Sequence, residues 1–369
     1  MNRMMDNTVY CPFMELLRAG LWNRNPNLEF FPLHKNCWLE IRKTARQQAV
    51  AGILYDGILL LPEEYQPPLD ILLGWAVEVE FLERNNQFMN LVVAELYCLF
   101  MKEGVMPILQ KGQGVAALYN QPLHRVCGDI DWYFPVSSDR EKAVKLLSRN
   151  RILIKKQAGF SISYIYKGTS VEHHRHFLDC YNPFVQGYLR DLEKMESVKS
   201  MRLLVQGEEV ALPSPLLYHL QVNMHILKHM LSFGIGLRQL CDSACVCKRL
   251  HKQTNGVELE KIYREIGVYR WILALNELLV TELGLPEEYL PFSRQFDIQY
   301  DWMMREIWVG GNFGFYDFRY GGHDISTGQR RHVWRHWFHR FGLHLYLAPQ
   351  ETLWFPIMQV YSRFFGKHN

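Results

Sequence analysis

The chain has 369 residues, of which 48% are hydrophobic and 14% aromatic, and its formal net charge is +3. This length and composition argue against intrinsic disorder and predict two domains, or two domains with a helical extension. The charge is too small to indicate a nucleic-acid-binding protein by itself.

The sequence also indicates a cellular compartment. No stretch approaches the ~18 apolar residues of a membrane-spanning helix, and the first residues lack the apolar segment of a signal peptide. The cysteines are scattered except for Cys241, Cys245 and Cys247, whose apolar, helix-like surroundings fit buried thiols better than a zinc site. We therefore expect a cytoplasmic protein without a membrane span.

Residues 1–94 are predicted to form an N-terminal helical region. Apolar residues recur at helical spacing between Leu72 and Phe100, after a group of prolines. Gly104 lies where a C-cap glycine would end this helical segment.

The periodicity changes in residues 95–212, which are predicted to form a small mixed α/β core. Predicted strands cover residues 105–110, 129–136, 160–166 and 170–174, with a hairpin over 201–212. A glycine-containing turn and a short helix follow the first strand, and another helix is predicted over 141–147. This alternation of strands and helices is typical of a small α/β domain.

Residues 213–369 are predicted to form a C-terminal helical domain. Helical periodicity extends from Leu216 to about Leu283, followed by a glycine-rich aromatic stretch between Trp308 and Gly322. Helical periodicity resumes at about Arg330.

The last of these helical segments is basic and amphipathic. Trp334 and Trp337 belong to its apolar stripe, whereas Arg331, Arg335 and His339 lie on another face. We interpret it as a docking helix with a solvated basic face. The alternative is contact with phosphate, nucleic acid or an anionic surface.

The tripeptide Asp129-Ile130-Asp131 begins the second predicted strand. Side chains alternate along a strand, so both carboxylates point to one face while Ile130 and Trp132 pack on the other. Two adjacent carboxylates repel unless a cation lies between them, so Asp131→Asn should leave the metal-free fold intact or stabilise it. Oxygen ligands at this spacing suit Mg²⁺, although such a pair alone is also typical of a solvated loop.

A third acid strengthens the metal interpretation. Glu172 lies on a later predicted strand, and three acids on neighbouring strands would hold two divalent cations around a triphosphate. His174 lies two residues further on the same strand face, and His225 and His229 lie one turn apart on a predicted helix. His174 could orient a carboxylate or contact the acceptor, and His225 and His229 could be metal ligands together with Asp242. Each of the three histidines could also be a packed side chain.

Several short motifs occur in order along the chain. They are Leu109-Gln110-Lys111-Gly112, Leu118-Tyr119, Arg125, Gly128-Asp129-Ile130-Asp131, Glu172-His173-His174, Leu216-Leu217-Tyr218, His225 with His229, Leu237-Arg238-Gln239-Leu240-Cys241-Asp242 and Gly311-Asn312-Phe313-Gly314. Together they resemble the bacterial uncharacterised nucleotidyltransferase family, of the polymerase β-like nucleotidyltransferase superfamily. One departure is the turn Lys111-Gly112-Gln113-Gly114, which stands where the superfamily has Gly-Ser.

The resemblance implies an α+β fold, with a polymerase β-like nucleotidyltransferase core around a small mixed sheet and helical regions on both sides. It implies transfer of a nucleoside monophosphate from an NTP to an unknown acceptor (small molecule, protein or RNA), with Mg²⁺ or Mn²⁺ as cofactor. The implied catalytic residues and metal ligands are Asp129, Asp131 and Glu172. The implied nucleotide-binding residues are Lys111, Gly112, Gly114, Arg125 and His174.

Other interpretations of these residues stay open at this point. Lys111 could be an ordinary exposed lysine, Arg125 could form a structural salt bridge, and the glycines could serve backbone freedom alone. The alternative function is a catalytically silent nucleotide-binding or RNA-interacting protein on the same fold. The sequence does not determine the oligomeric state.

Overall fold

The computed structural model describes residues 7–156, 161–295, 298–317, 319 and 329–365. Most of these residues are helical, and the described strands form one five-stranded mixed sheet and one two-stranded hairpin. A small mixed sheet preceded and followed by helices is therefore confirmed. Every described helix is too short or too polar to cross a bilayer.

Four helices precede the sheet: α1 (Asn7–Trp22), α2 (Lys35–Gln47), α3 (Ala51–Leu59) and α4 (Leu69–Lys102). Helices α1 and α3 approach closely because glycines face each other, and a Cβ on Gly20 would lie 1.9 Å from the Ile53 carbonyl oxygen. Gly104 follows α4 with a φ of +67°, and the Val105 amide donates to the Phe100 carbonyl, which confirms the predicted C-cap. The predicted domain boundary after residue 94 falls inside α4, and the domain division stays a prediction.

The five-stranded sheet positions the predicted acids. Its strands are β1 (Ile108–Gln110), β2 (Ile130–Tyr133), β3 (Lys155–Lys156), β4 (Ile162–Tyr166) and β5 (Thr169–His174), in the order β1-β2-β5-β4-β3. Strands β2 and β5 are parallel, and the other neighbours are antiparallel. Ile130 and Trp132 are fully buried, and Trp132 packs on Tyr97 and Phe100 of α4. The predicted packing of one face of β2 is thus confirmed.

Strands β1 and β2 are both shorter than predicted. Strand β1 begins after Pro107 and β2 ends before Pro135, since proline lacks the N–H group that a sheet ladder requires. Asp129 therefore lies just before β2 rather than within it. Residue 160 of the third predicted strand lies outside the described residues.

Three helices and a hairpin complete this part of the chain: α5 (Gly112–Ala116), α6 (Ser137–Arg149), α7 (Gln186–Ser197), β6 (Met201–Val205) and β7 (Glu208–Leu212). The hairpin turns at Gln206 and Gly207, with φ values of +50° and +90°. These values fit a two-residue turn whose twist matches the strands, which confirms the predicted turn.

The C-terminal helices are α8 (Pro215–Ser232), α9 (Leu237–Leu250), α10 (Gly256–Glu265), α11 (Tyr269–Thr281), α12 (Asp301–Gly310), α13 (Gln329–Leu347) and α14 (Pro349–Phe365). Helix α8 is buried along most of its length and packs against α9 and α13. The three clustered cysteines are buried in α9 as free thiols. Trp308, predicted to begin a glycine-rich stretch, lies within α12.

Helix α13 is the predicted basic amphipathic helix. Trp337 is buried on it, while Arg335 and His339 are exposed, so the amphipathic pattern is confirmed for these residues. Arg340, for which no position was predicted, is buried and bonded to Glu306 of α12. The side chain of Arg331 lies outside the described residues.

Candidate functional site

A cavity of about 600 Å³ lies between the sheet and the helices α8 and α9. One wall carries the predicted acids, the other carries side chains of the C-terminal half, and the turn between β1 and α5 lies at the edge. The predicted residues that line the cavity are Lys111, Gly112, Arg125, Asp129, Asp131, Glu172 and His174. A volume of this size is in the range of small-molecule sites, ~300–1,000 Å³.

The register of β2 and β5 brings two acids together. Asp131 lies opposite Glu172, and the parallel pairing places both side chains on the cavity face. His174, two residues after Glu172, shares this face, as predicted. Asp131, Glu172 and His174 each offer a ligand atom, and the three atoms lie within 4.8 Å of one another.

His174 is the link within this group. Its Nε2 lies 2.5 Å from Asp131 Oδ1 and 3.7 Å from Glu172 Oε2. Asp129 lines the same cavity from its position before β2, but it is not part of this close group. The structure therefore adds His174, which was predicted as a nucleotide-binding residue, to a group whose predicted metal ligands were acids alone.

The two aspartates differ in their electrostatics. The negative charge of Asp131, together with burial, raises the pKa of Asp129 to about 6. Burial opposes ionisation of Asp131 too, but Lys111 and His174 lower the pKa of Asp131 to about 2. At neutral pH the Asp131 carboxylate is therefore firmly ionised, whereas the repulsion between the two groups destabilises the ionised form of Asp129.

The turn that carries Lys111 has an unusual backbone. Lys111 has φ +41° and ψ −142°, which is unfavourable for a residue with a side chain, and its Nζ lies 3.9 Å from Asp131 Oδ1. Gly112 follows with φ +38°, and a Cβ there would lie 3.1 Å from the Asp129 carbonyl oxygen. The turn thus holds an ammonium group beside the acids.

Gly114 does not line the cavity. A Cβ at this position would lie 2.8 Å from the hydroxyl oxygen of Tyr218 on α8. Close packing of α5 against α8 therefore accounts for this glycine. Its predicted contact with a nucleotide stays a prediction.

Arg125 is only 3% exposed and is held by an acid of α9. Its Nε and Nη2 donate to the two carboxylate oxygens of Asp242, each at 2.7 Å. Tyr119 also donates to Asp242, at 2.6 Å. Arg125 lines the cavity, but its bidentate partner is a protein carboxylate, which fits the structural alternative.

The opposite wall contains residues that had no predicted role in the site. Lys228 of α8 donates to Asp179 at 2.6 Å, and Arg238 of α9 donates to the Val126 carbonyl at 2.8 Å. The Phe313 ring lies beside Arg238. Arg238 and Phe313 belong to motifs of the family resemblance, which was a signal for both, whereas Lys228 and Asp179 had no such signal.

His225 and His229 of α8 belong to the same wall. Their rings are 4.3 Å apart, and burial lowers the pKa of both imidazoles, that of His229 to about 3. Both are therefore neutral at pH 7, with one donor and one acceptor nitrogen each. They do not lie in the close group of possible metal ligands found among the described residues.

The donor set of the acid wall fits a divalent cation. One oxygen from each of two carboxylates and a histidine nitrogen lie within 4.8 Å of one another, and Asp129 lines the same cavity. A cation there would relieve the repulsion that raises the pKa of Asp129. Carboxylate oxygens suit Mg²⁺ or Mn²⁺, and a nitrogen ligand is better suited to Mn²⁺.

Comparison with known proteins gives a match to a solved structure and a match to a protein-family model. A solved structure, "Crystal structure of an antigenic nucleotidyltransferase-like protein from Paracoccidioides brasiliensis", is similar at 16% identity over 53% of this chain and 92% of that one, with a TM-score of 0.33. No protein with a curated description matches significantly. Residues 34–281 match a protein-family model, and they include the acid wall, the Lys111 turn and both helices of the opposite wall. The chain therefore belongs to the family described as "Uncharacterised nucleotidyltransferase".

Proposed function

We propose that this protein is a metal-dependent nucleotidyltransferase with a polymerase β-like core, which transfers a nucleoside monophosphate from an NTP to an acceptor. The observation that carries the proposal is the meeting of Asp131 and Glu172 across parallel strands, beside the strained Lys111 turn, in one cavity. The family membership supports the same reaction class. The free thiol state of all eight cysteines supports a reducing, cytoplasmic location.

Asp129, Asp131 and Glu172 would hold Mg²⁺ or Mn²⁺, and His174 would either join them or orient Asp131. When bound, the cation would stabilise the negative charge of the phosphates and favour ionisation of the acceptor hydroxyl. Asp131 is suited to this role because Lys111 and His174 keep its pKa low, so it is ionised over the whole physiological range.

The residues of the chain would contribute binding and proton transfer. Lys111 would neutralise triphosphate charge, since its ammonium lies at the edge of the acid wall. Glu172 would accept the proton of the acceptor hydroxyl while the oxygen of that hydroxyl bonds to the α-phosphorus. The bond between the α-phosphorus and the bridging oxygen would break, and pyrophosphate would leave with that oxygen.

The proposal is tested by following pyrophosphate release and label transfer. The protein is incubated with Mg²⁺, each α-labelled NTP and a cell extract as the source of acceptor. We expect one or more extract components to become labelled, with turnover reduced ~10²-fold or more in Asp131→Asn. The matched control is Asp191→Asn on α7, whose side chain is 77% exposed and outside the cavity.

Melting temperature provides a second test that needs no acceptor. Mg²⁺ and an NTP together should stabilise the protein well beyond either alone, because the phosphates supply cation ligands that the protein lacks. Equal stabilisation by the metal alone would contradict shared coordination. NTP binding without label transfer would favour the catalytically silent nucleotide-binding alternative, and absence of both would contradict the proposed function.

A further inference from the structure

The wall opposite the acids contains an aromatic surface, which we call the Phe313 wall and define as Phe313, His225, His229 and Arg238. The Phe313 ring centroid lies 4.8 Å from that of His229 and 5.8 Å from the Arg238 guanidinium. All four residues line the same cavity as Asp131. The cavity therefore has an acidic end that fits a cation with phosphates, and a second end made of planar groups.

The backbone fixes Phe313 in an unfavourable conformation. Its φ of +54° and ψ of +27° lie in the left-handed region, which is unfavourable for a residue other than glycine. Gly311 and Gly314 on either side also have positive φ, and a Cβ on Gly314 would lie 1.9 Å from the Phe233 carbonyl oxygen. The strain is maintained by tight packing of the turn.

Two amide side chains hold this turn against α9. Gln239 of α9 donates to the Asn312 side-chain oxygen at 3.1 Å. Gln48, which is fully buried, donates to the Ile307 carbonyl of α12 and accepts from the Leu237 amide at the start of α9. The relative position of Phe313 and Arg238 is therefore fixed before any ligand binds.

The polar atoms of the Phe313 wall are not all used by the protein. His229 Nδ1 and Arg238 Nε are buried and have no hydrogen-bond partner among the described residues. Unpartnered buried polar atoms are unfavourable unless a ligand or water completes them. Neutral imidazoles offer one donor and one acceptor each, which suits an uncharged ring with nitrogen and oxygen atoms at its edge.

We propose that the Phe313 wall binds the nucleobase of the donor nucleotide, with Phe313 stacking on the base and His229 and Arg238 hydrogen-bonding to its edge. This inference rests on the proposed function, since it places the triphosphate at the acid wall. Every nucleobase has a flat face that can stack on an aromatic side chain. A stacking role for Phe313 explains why a large ring is kept in a strained turn at the cavity surface.

The test compares two ligands that differ in the nucleoside alone. Binding of Mg²⁺-tripolyphosphate and of each Mg²⁺-NTP is measured by calorimetry for the wild type, Phe313→Leu, Phe313→Tyr and the control Phe315→Leu. Phe315 belongs to the same turn but does not line the cavity. We expect Phe313→Leu to weaken the preferred NTP about tenfold without affecting tripolyphosphate, and Phe313→Tyr and Phe315→Leu to retain wild-type affinity.

Should Phe313→Leu fail to fold, His229→Gln serves as the second variant, with the same selective loss of NTP affinity expected. Equal weakening of both ligands, or of neither, overturns the role of the Phe313 wall while leaving the proposed function intact. If neither ligand binds to the wild type in the presence of Mg²⁺, the proposed function itself fails, and the inference fails with it.

Discussion

Asp131 and Glu172 lie opposite each other on the adjacent parallel strands β2 and β5, although they are far apart in the sequence. Parallel strands need a crossover connection, which here contains α6, β3 and β4. The pairing register places both carboxylates on the cavity face, and a shift of one residue would turn one of them into the core. The site thus depends on the register of a single strand pair.

The charges around Asp129 and Asp131 change the expected effect of Asp131→Asn on stability. The sequence predicted that Asp131→Asn would relieve repulsion, but Lys111 and His174 stabilise the Asp131 carboxylate while Asp129 carries the repulsion. We therefore expect metal-free Asp129→Asn to be more stable than Asp131→Asn, by about 2 kcal/mol or more at pH 7. Chemical denaturation of the two variants and the wild type measures this difference.

The difference in stability between Asp129→Asn and the wild type should depend on pH. An acid whose folded pKa is raised to about 6 destabilises the fold increasingly as the pH rises from ~4 through 6, because the unfolded state releases its proton first. The advantage of Asp129→Asn over the wild type should therefore shrink when the pH is lowered from 7 to 5. A constant advantage would show that Asp129 is not the destabilised carboxylate.

Arg125 is expected to act mainly through Asp242. Arg125→Leu would leave Asp242 buried without its bidentate partner, which costs about 3–5 kcal/mol of unfolding free energy. The double variant Arg125→Leu/Asp242→Leu should regain much of this loss, since it removes both buried charges. Arg149→Leu, at an exposed arginine, is the control and should change stability by less than ~0.5 kcal/mol. A stable Arg125→Leu protein that no longer binds NTP would instead favour the nucleotide-binding role.

His124 links two helices outside the cavity and should make stability depend on pH. Its Nδ1 lies 2.6 Å from Asp56 of α3 and its Nε2 lies 2.7 Å from Glu83 of α4. Burial opposes the charged form, but the two carboxylates raise the pKa of His124. A histidine with a raised folded pKa stabilises the fold fully below the unfolded value of ~6.5 and loses this effect as the pH rises through the folded value.

The free energy of unfolding of the wild type minus that of His124→Gln should therefore decrease above pH ~6.5. Denaturant titrations at pH 6, 7, 8 and 9 measure it. A difference that stays constant over this range would mean that the bridge does not depend on a protonated imidazole.

Two arginines of α13 should respond in opposite ways. Arg335 is exposed, so Arg335→Gln should change stability by less than ~0.5 kcal/mol and leave NTP turnover unchanged. Arg340 is buried and bonded to Glu306, so Arg340→Gln should cost about 3 kcal/mol. Melting curves and turnover assays compare the two variants. Lost turnover in a stable Arg335→Gln protein would favour the phosphate-binding or nucleic-acid-binding interpretation of this helix.

Much of the acid wall follows from local sequence patterns. The alternation of side chains along a strand predicts that Ile130 and Trp132 are buried behind the acid face, and that Glu172 and His174 point the same way. Prolines at the strand ends and glycines at the turns mark where elements stop, because they restrict or extend the backbone angles of their own position. These effects act within a few residues, so the sequence alone determines them.

The partners of these residues were decided only by the tertiary structure. Arg125 is four residues from Asp129, yet its bidentate partner is Asp242, and His174 bonds to Asp131 of another strand. The Phe313 wall combines α8, α9 and the turn after α12, which no local pattern brings together. Hydrogen bonds between distant residues depend on how the helices pack on the sheet, and packing is set by the whole core rather than by spacing along the chain.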